Sequence, residues 1–194
     1  MAAKAKIPHI YGMEIIDENA GLARMSVQMN DLLERIKVVT GDICEASATL
    51  GREAFDCVTA NPPYMQVESG KINPDEIKAV ARHEVLCKLE DVIREASALL
   101  KQNGHFYMVH RPFRLSEALR LMHEYKVEAK RLRLVYPFAD KPPSMMLVEG
   151  VKGAREELKI EAPLVIYKKQ GIYTDEVLRI YGKIPKNEEV QSCR

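Results

Sequence analysis

Residues Asn61-Pro62-Pro63-Tyr64 combine three properties that are rarely adjacent. The two prolines fix φ and offer carbonyls without N–H donors. Asn61 adds an amide that can accept and donate, and Tyr64 adds a flat ring. Two rigid acceptors beside an aromatic face suit a planar group carrying an NH₂, stacked on the ring and donating both of its hydrogens. Such an amine is a weak nucleophile because its lone pair is delocalised. Acceptors on its hydrogens favour the pyramidal form and aim the lone pair, so positioning and electrostatics can carry the reaction without a strong base. The bland alternative is a strand terminator followed by a surface tyrosine.

The elements that must hold these residues follow from apolar periodicity. "HIYGMEII" (9–16) reads as a short buried strand, and Asp17 opens a helix with Leu22, Met25, Met29, Leu32, Leu33 and Ile36 at helical spacing. "IKVVTGD" (36–42) and "AFDCVTA" (54–60) read as further strands. A polar loop with Gly70 and Pro74 follows. Val85, Leu86, Leu89, Val92, Ile93, Ala96, Leu99 and Leu100 then mark a long amphipathic helix, closed by Asn103-Gly104. Next come a strand (105–111), a helix (115–125), and strands at 131–138 and 144–152 that can pair antiparallel. A short "PLVIY" (163–167) and a final helix around 174–181 end the pattern. Alternating strands and helices predict a mostly parallel sheet covered on both faces. Ligands in such sheets bind beyond the carboxyl ends of the strands, which singles out Glu14, Asp42 and Asn61 to Tyr64.

Composition narrows the class. The 194 residues are 46% hydrophobic and 29% charged, an ordinary globular balance that fits a single domain over 1–194, with 154–194 as a C-terminal extension. No apolar run approaches a membrane span, and "MAAKAKIPHIYGMEI" lacks the pattern of an export signal. Cys44, Cys57, Cys87 and Cys193 show neither disulfide nor metal spacing, which points to a cytoplasmic, reducing setting and makes a zinc site improbable. Cys57 and Cys87 read as core thiols. The net charge of +1 is uneven: residues 1–100 balance to −5 and residues 101–194 to +6. An anionic partner for the C-terminal half and a mere difference in solvated faces both fit that asymmetry.

"GMEI", "GDI" and "NPPY", at these separations, resemble the class I S-adenosylmethionine-dependent methyltransferases that modify amino groups. "ARHE" (81–84), "GHFYMVHRP" (104–112), "LVEGVKG" (147–153) and "PLVIY…YTDEVLRIYG" extend the resemblance over residues 6–182 to the bacterial tRNA1(Val) adenine-37 N6-methyltransferase family. NPPY alone is shared with release-factor glutamine methyltransferases and several DNA enzymes. The resemblance implies a Rossmann-like α/β sheet, mostly parallel with an antiparallel C-terminal strand, and S-adenosylmethionine as cofactor. It implies that Glu14 accepts the ribose hydroxyls of the cofactor, with Ile15 beside it. Asp42 would receive its adenine amine, with Ile43 against the ring. Asn61 and the Pro62 carbonyl would hold the target amine, Pro63 would stiffen the corner and Tyr64 would stack on the base. The target would be an unstacked adenine, as an anticodon loop of a tRNA partner provides. Arg111, Arg114, Lys130, Arg131, Arg133 and Lys141 are candidate phosphate contacts, with plain solvation as the alternative. Arg82 and His83 either border the active site or cap the following helix.

The resemblance also sets an expectation of absence. Members of this fold begin with a central strand and a Gly-rich turn, and no Gly-rich stretch precedes Glu14. The sheet is expected to lack that strand, so that its edges close up, a homodimer partner or complementing segment fills the gap, or the isolated chain is poorly stable. The chain is then expected to be an incomplete or inactive form that binds cofactor weakly. Two rival functions remain at this point: methylation of a protein glutamine amide, and a non-catalytic RNA- or partner-binding domain.

Overall fold

The computed structural model describes residues 7–62 and 87–183. The chain divides into two compact units, residues 1–58 with 65–105, and residues 59–64 with 106–194.

In the first unit, β1 (Ile10–Glu14) pairs in parallel with β2 (Ile36–Thr40), in register from Ile10 opposite Ile36 to Glu14 opposite Thr40. Helix α1 (Asp17–Met29) makes the crossover. Asp17 and Glu18 lie in its first turn, where carboxylates favour the helix dipole. Thr40 Oγ1 donates to Asp17 Oδ1 at 3.0 Å, fixing the start of α1 against the end of β2. Only Ala20 and Val27 of this helix are buried. Leu22, Met25, Met29 and Leu33, expected to face the core, are 61%, 59%, 82% and 63% exposed. Periodicity placed the helix start, but the helix ends at Met29, before Leu32, Leu33 and Ile36 of the expected stretch. Its apolar face turns to solvent because only one short sheet lies beneath it.

A 3-10 turn (Ile43–Glu45) leads into α2 (Ala46–Leu50), which is tied to α3 (Leu89–Leu99) by Glu95 Oε2 accepting from the Ser47 amide at 2.8 Å. Helix α3 buries Leu89, Val92, Ile93, Ala96 and Leu99, a stripe of helical period that its sequence specifies. It stops at Leu99, earlier than Asn103-Gly104 suggests, and the chain turns directly into β4 (Leu100–His110). Asn103 does take positive φ (63°), but within the strand. A Cβ at Gly104 would lie 2.9 Å from the Lys101 carbonyl and 3.3 Å from that of Asp56. The Asn-Gly pair thus makes a kink next to β3 (Phe55–Ala60) rather than a helix cap.

β3 neighbours β4. The amides of Glu53 and Ala54 donate to the carbonyls of Ala98 and Leu99, at 2.9 and 3.0 Å, so contacts advance together along both segments and the strands run parallel. β1 and β2 form a sheet of their own, separate from β3. The Tyr11 ring meets Phe55 edge-on, centroids 5.5 Å apart, without strand pairing between β1 and β3. Among the described residues no strand joins the β1–β2 pair to β3. This explains why Cys57, read as a core thiol, is exposed: β3 is covered less completely than its apolar sequence suggests.

In the second unit the strand order is β4, β6 (Met145–Lys152), β5 (Val127–Tyr136), β7 (Lys159–Ile160), with β8 (Leu164–Val165) also beside β5. β5 and β6 pair antiparallel from Val127 opposite Lys152 to Val135 opposite Met145, with an irregularity at Ala129–Arg131. β7 and β8 pair with β5 in parallel. Helix α4 (Leu115–Glu124) buries Ala118, Leu121 and Met122. Together with Phe106, Met108, Val127, Leu132, Met146 and Val148 they form a continuous core. Gly150 is required there: a Cβ would come within 2.4 Å of Met122 Cε and 2.8 Å of Val127 Cγ1. β9 (Tyr167–Lys169), β10 (Ile172–Tyr173) and α5 (Asp175–Ile180) complete the unit, with Thr174 capping α5 through its hydroxyl, which accepts from the Val177 amide.

Candidate active site

Glu14 and Asp42 stand at adjoining carboxyl ends of the parallel pair β1–β2. The Gly41 amide donates to the Glu14 carbonyl at 3.0 Å, so the chain leaving β2 stays level with the end of β1. Glu14 Oε1 accepts from the Ile16 amide at 2.9 Å, which turns the carboxylate toward the strand end. Asp42 Oδ1 accepts from the Cys44 amide at 2.8 Å and caps the following 3-10 turn. Both carboxylates are partly accessible, and Ile15 and Ile43 beside them are exposed. Two acceptors and two exposed apolar side chains at adjoining strand ends fit a ligand with hydroxyls, an amine and a flat ring. These residues therefore suit a nucleoside-bearing cofactor, and the expected separation of labour between Glu14 and Asp42 is geometrically consistent with the pairing of β1 and β2.

Cys44 lies at the same strand end but is chemically quiet. Burial first, and then Cys87 and Asp42 beside it, push its thiol up to about 12. At neutral pH it is a thiol, not a thiolate, and cannot serve as a nucleophile.

Asn61 and Pro62 follow β3, Asn61 exposed and Pro62 buried. The strand stops where Pro62 removes its donor, as the sequence requires. Pro63 and Tyr64, and Arg82 and His83, lie outside the described residues.

The basic residues named as phosphate contacts are largely engaged. Arg114 holds Glu117 in a two-pronged pair at 2.6 Å on each prong. Its hydrogen bonds, and then its charge, lower the Glu117 carboxyl below the usual range. Arg131 binds Glu149 and reaches Glu161 at 3.2 Å, while Tyr107 donates its hydroxyl to Glu149 at 2.9 Å. Arg133 binds Glu176 and the Ala162 carbonyl. Lys130 lies 3.7 Å from Glu157, Lys141 lies 3.8 Å from Asp140, and Arg111 donates to the Ser144 carbonyl at 3.0 Å. Composition shows how many cations the C-terminal half has, but not how many of them carboxylates neutralise.

Comparison with known proteins decides the class. Residues 2–91 match the N-6 DNA methylase family. A predicted O-methyltransferase of Agrobacterium tumefaciens superposes with a TM-score of 0.68 at 25% identity, covering 93% of this chain and 80% of that one. A S-adenosylmethionine-dependent O-methyltransferase of Thermotoga maritima shares the fold, at 18% identity and TM-score 0.50 over 77% of this chain and 51% of its own.

The chain has the fold of the class I S-adenosylmethionine-dependent methyltransferases.

Among curated relatives, the tRNA1(Val) (adenine(37)-N6)-methyltransferase of Porphyromonas gingivalis is 29% identical over 175 residues, 88% of this chain and 68% of that protein. The enzyme of the same name from Bacteroides thetaiotaomicron is 32% identical over 111 residues, 56% of this chain and 45% of its own. The fold and these relatives imply S-adenosylmethionine as cofactor, and Glu14, Asp42 and the exposed Ile15 and Ile43 are the described residues suited to its nucleoside. Among the described residues no His, Cys, Asp and Glu cluster suits a metal ion, and no helix is long and apolar enough to cross a membrane.

One exposed side chain at this end of the second unit was not singled out from sequence. Phe113 follows β4 and is 64% exposed. Its only sequence signal is a large apolar residue held between Pro112 and two arginines directly after a strand.

Proposed function

We propose that this methyltransferase transfers a methyl group to the N6 amine of an unstacked adenine in tRNA, in the anticodon-loop region. The observation carrying this reading is Asn61-Pro62 at the carboxyl end of β3, in a chain whose curated relatives are named for that reaction. S-adenosylmethionine supplies an electrophilic methyl group on a sulfonium. The chain supplies orientation: the Asn61 side-chain oxygen and the Pro62 carbonyl accept the two amine hydrogens, turning the nitrogen lone pair away from the purine ring. Tyr64 stacks on the base. Once nitrogen has gained the methyl group its acidity rises steeply, so the extra proton passes to water and no side chain need act as a strong base. Glu14 and Asp42 hold the ribose and adenine ends of the cofactor.

Asn61→Ala should lower methyl incorporation into tRNA about 10²- to 10³-fold, the usual cost of one preorganised polar contact, with little change in melting temperature because Asn61 is exposed. Incorporation is measured with labelled cofactor, followed by nucleoside digestion to locate the methyl group. Label at N6 of adenine supports the reading. Label in a release factor's glutamine instead would replace it, and undiminished transfer by the variant would remove Asn61 from the site.

A further inference from the structure

The turn after β4 is built to display an aromatic ring. Pro112 sets φ at the first position of the 3-10 turn Pro112–Arg114. The Arg111 amide donates to His110 Nδ1 at 2.7 Å, and the Arg114 amide to the Arg111 carbonyl at 3.2 Å. The Arg111 guanidinium is fixed on the Ser144 carbonyl and that of Arg114 on Glu117. Both neighbours of the Pro-Phe pair are therefore anchored inward by their side chains, while Phe113 between them is 64% exposed. A single exposed apolar residue is common; one mounted on a turn with this much fixing is less so. The helix that follows buries Ala118, Leu121 and Met122, so the mount does not depend on the ring for its own packing.

Its place also matters. β3 and β4 run parallel, and Asp56 lies beside Gly104. Stepping equally forward along both strands brings Pro62 level with His110, so Asn61-Pro62 and the Phe113 turn share the carboxyl end of adjacent strands, the region where ligands bind in such sheets. Tyr64 is already assigned to the target base. A ring on the turn beside Asn61-Pro62 would meet the next base along the strand.

We propose that Phe113 is a stacking platform for an unpaired RNA base adjacent to the methylated adenine. The proposal rests on the adenine N6 reading above. Stacking suits this position because a ring face binds any base without hydrogen-bond readout. The guanidinium groups of Arg111 and Arg114 serve to hold the turn.

The chain contains no tryptophan, so Phe113→Trp places one indole at the site. The variant is titrated with an end-labelled RNA hairpin bearing an adenine in its loop, and with a fully paired RNA duplex, following tryptophan emission and label anisotropy together. The expected result is quenching by the hairpin that saturates with the anisotropy, and no quenching by the duplex. Phe113→Ala should weaken hairpin binding about 5- to 100-fold, and Phe113→Tyr should retain it. Hairpin binding with unchanged emission and undiminished affinity in Phe113→Ala overturns the stacking role while leaving the N6 reading intact. Absence of binding to either RNA overturns both. Equal thermal melting of the three variants and the parent excludes a folding effect as the cause.

Discussion

Helices α1 and α4 are of similar length and both have apolar residues at helical spacing, yet they end in opposite environments. α4 encloses Ala118, Leu121 and Met122 against β5 and β6. α1 buries only Ala20 and Val27 and leaves Leu22, Met25 and Met29 in solvent. The sheets beneath them account for the difference. α4 lies over a broad sheet with a long antiparallel pair, whereas α1 has two five-residue strands. The two ends of the chain thus do different work. The second unit holds the larger buried core, and the first carries the strand-end carboxylates suited to the cofactor.

Three perturbations test that contrast. The largest effect is expected in the second unit. Phe106 is fully buried, and Phe106→Ala should cost about 3–5 kcal/mol through lost transfer energy and a residual cavity. A shift in urea midpoint below about 1 kcal/mol would show that the second core is softer than its packing implies.

The next concerns His110, also fully buried. Burial, reinforced by the charge of Arg114, pulls it down to about 4. The folded value lies below the unfolded one near 6.5, so the unfolded chain takes up a proton first as pH falls. Stability from this group is complete above about pH 6.5 and declines toward pH 4, by up to roughly 3 kcal/mol. His110→Gln should flatten the dependence of the urea midpoint between pH 7 and pH 4.5. An unchanged slope would assign the loss to other groups.

The smallest effect belongs to the first unit. Met25→Lys on the exposed face of α1 should alter stability by no more than about 0.5 kcal/mol. The same change on a covered helix face would cost several times more. A destabilisation above about 2 kcal/mol would mean that this stripe is covered in solution, and light scattering on the parent would then show whether another copy covers it.

Much of this was legible in the primary structure. The alternation of strands and helices and the antiparallel β5–β6 pair follow from local pattern. So do the strand-end positions of Glu14, Asp42 and Asn61: the helical pattern opening at Asp17 follows the first, and Gly41 and Pro62 punctuate the chain at the other two. Three features were not legible, and each depends on partners distant in sequence. Whether the apolar face of α1 is covered depends on the area of the sheet beneath it. Whether Arg131 and Arg133 meet a phosphate or a carboxylate depends on Glu149 and Glu176, brought close only by the fold. Asn103 announces positive φ, but a helix end and a strand kink demand the same dihedral angle. Phe113 was overlooked for a related reason: local pattern ranks apolar residues as core, and only the folded turn shows one facing outward.

The pairing of β1 with β2 as a sheet of two has a consequence for dynamics. A two-stranded parallel ladder can open without disturbing β5 and β6, and local opening of this kind sits at the low end of a protein's range of protection. Glu14 ends one strand of that ladder and Asp42 follows the other, so a ligand held by both carboxylates fastens the ladder at its end. Its binding energy then appears as protection of β1 and β2 in proportion to saturation. A cofactor held there would be a clasp on this ladder as well as a reagent.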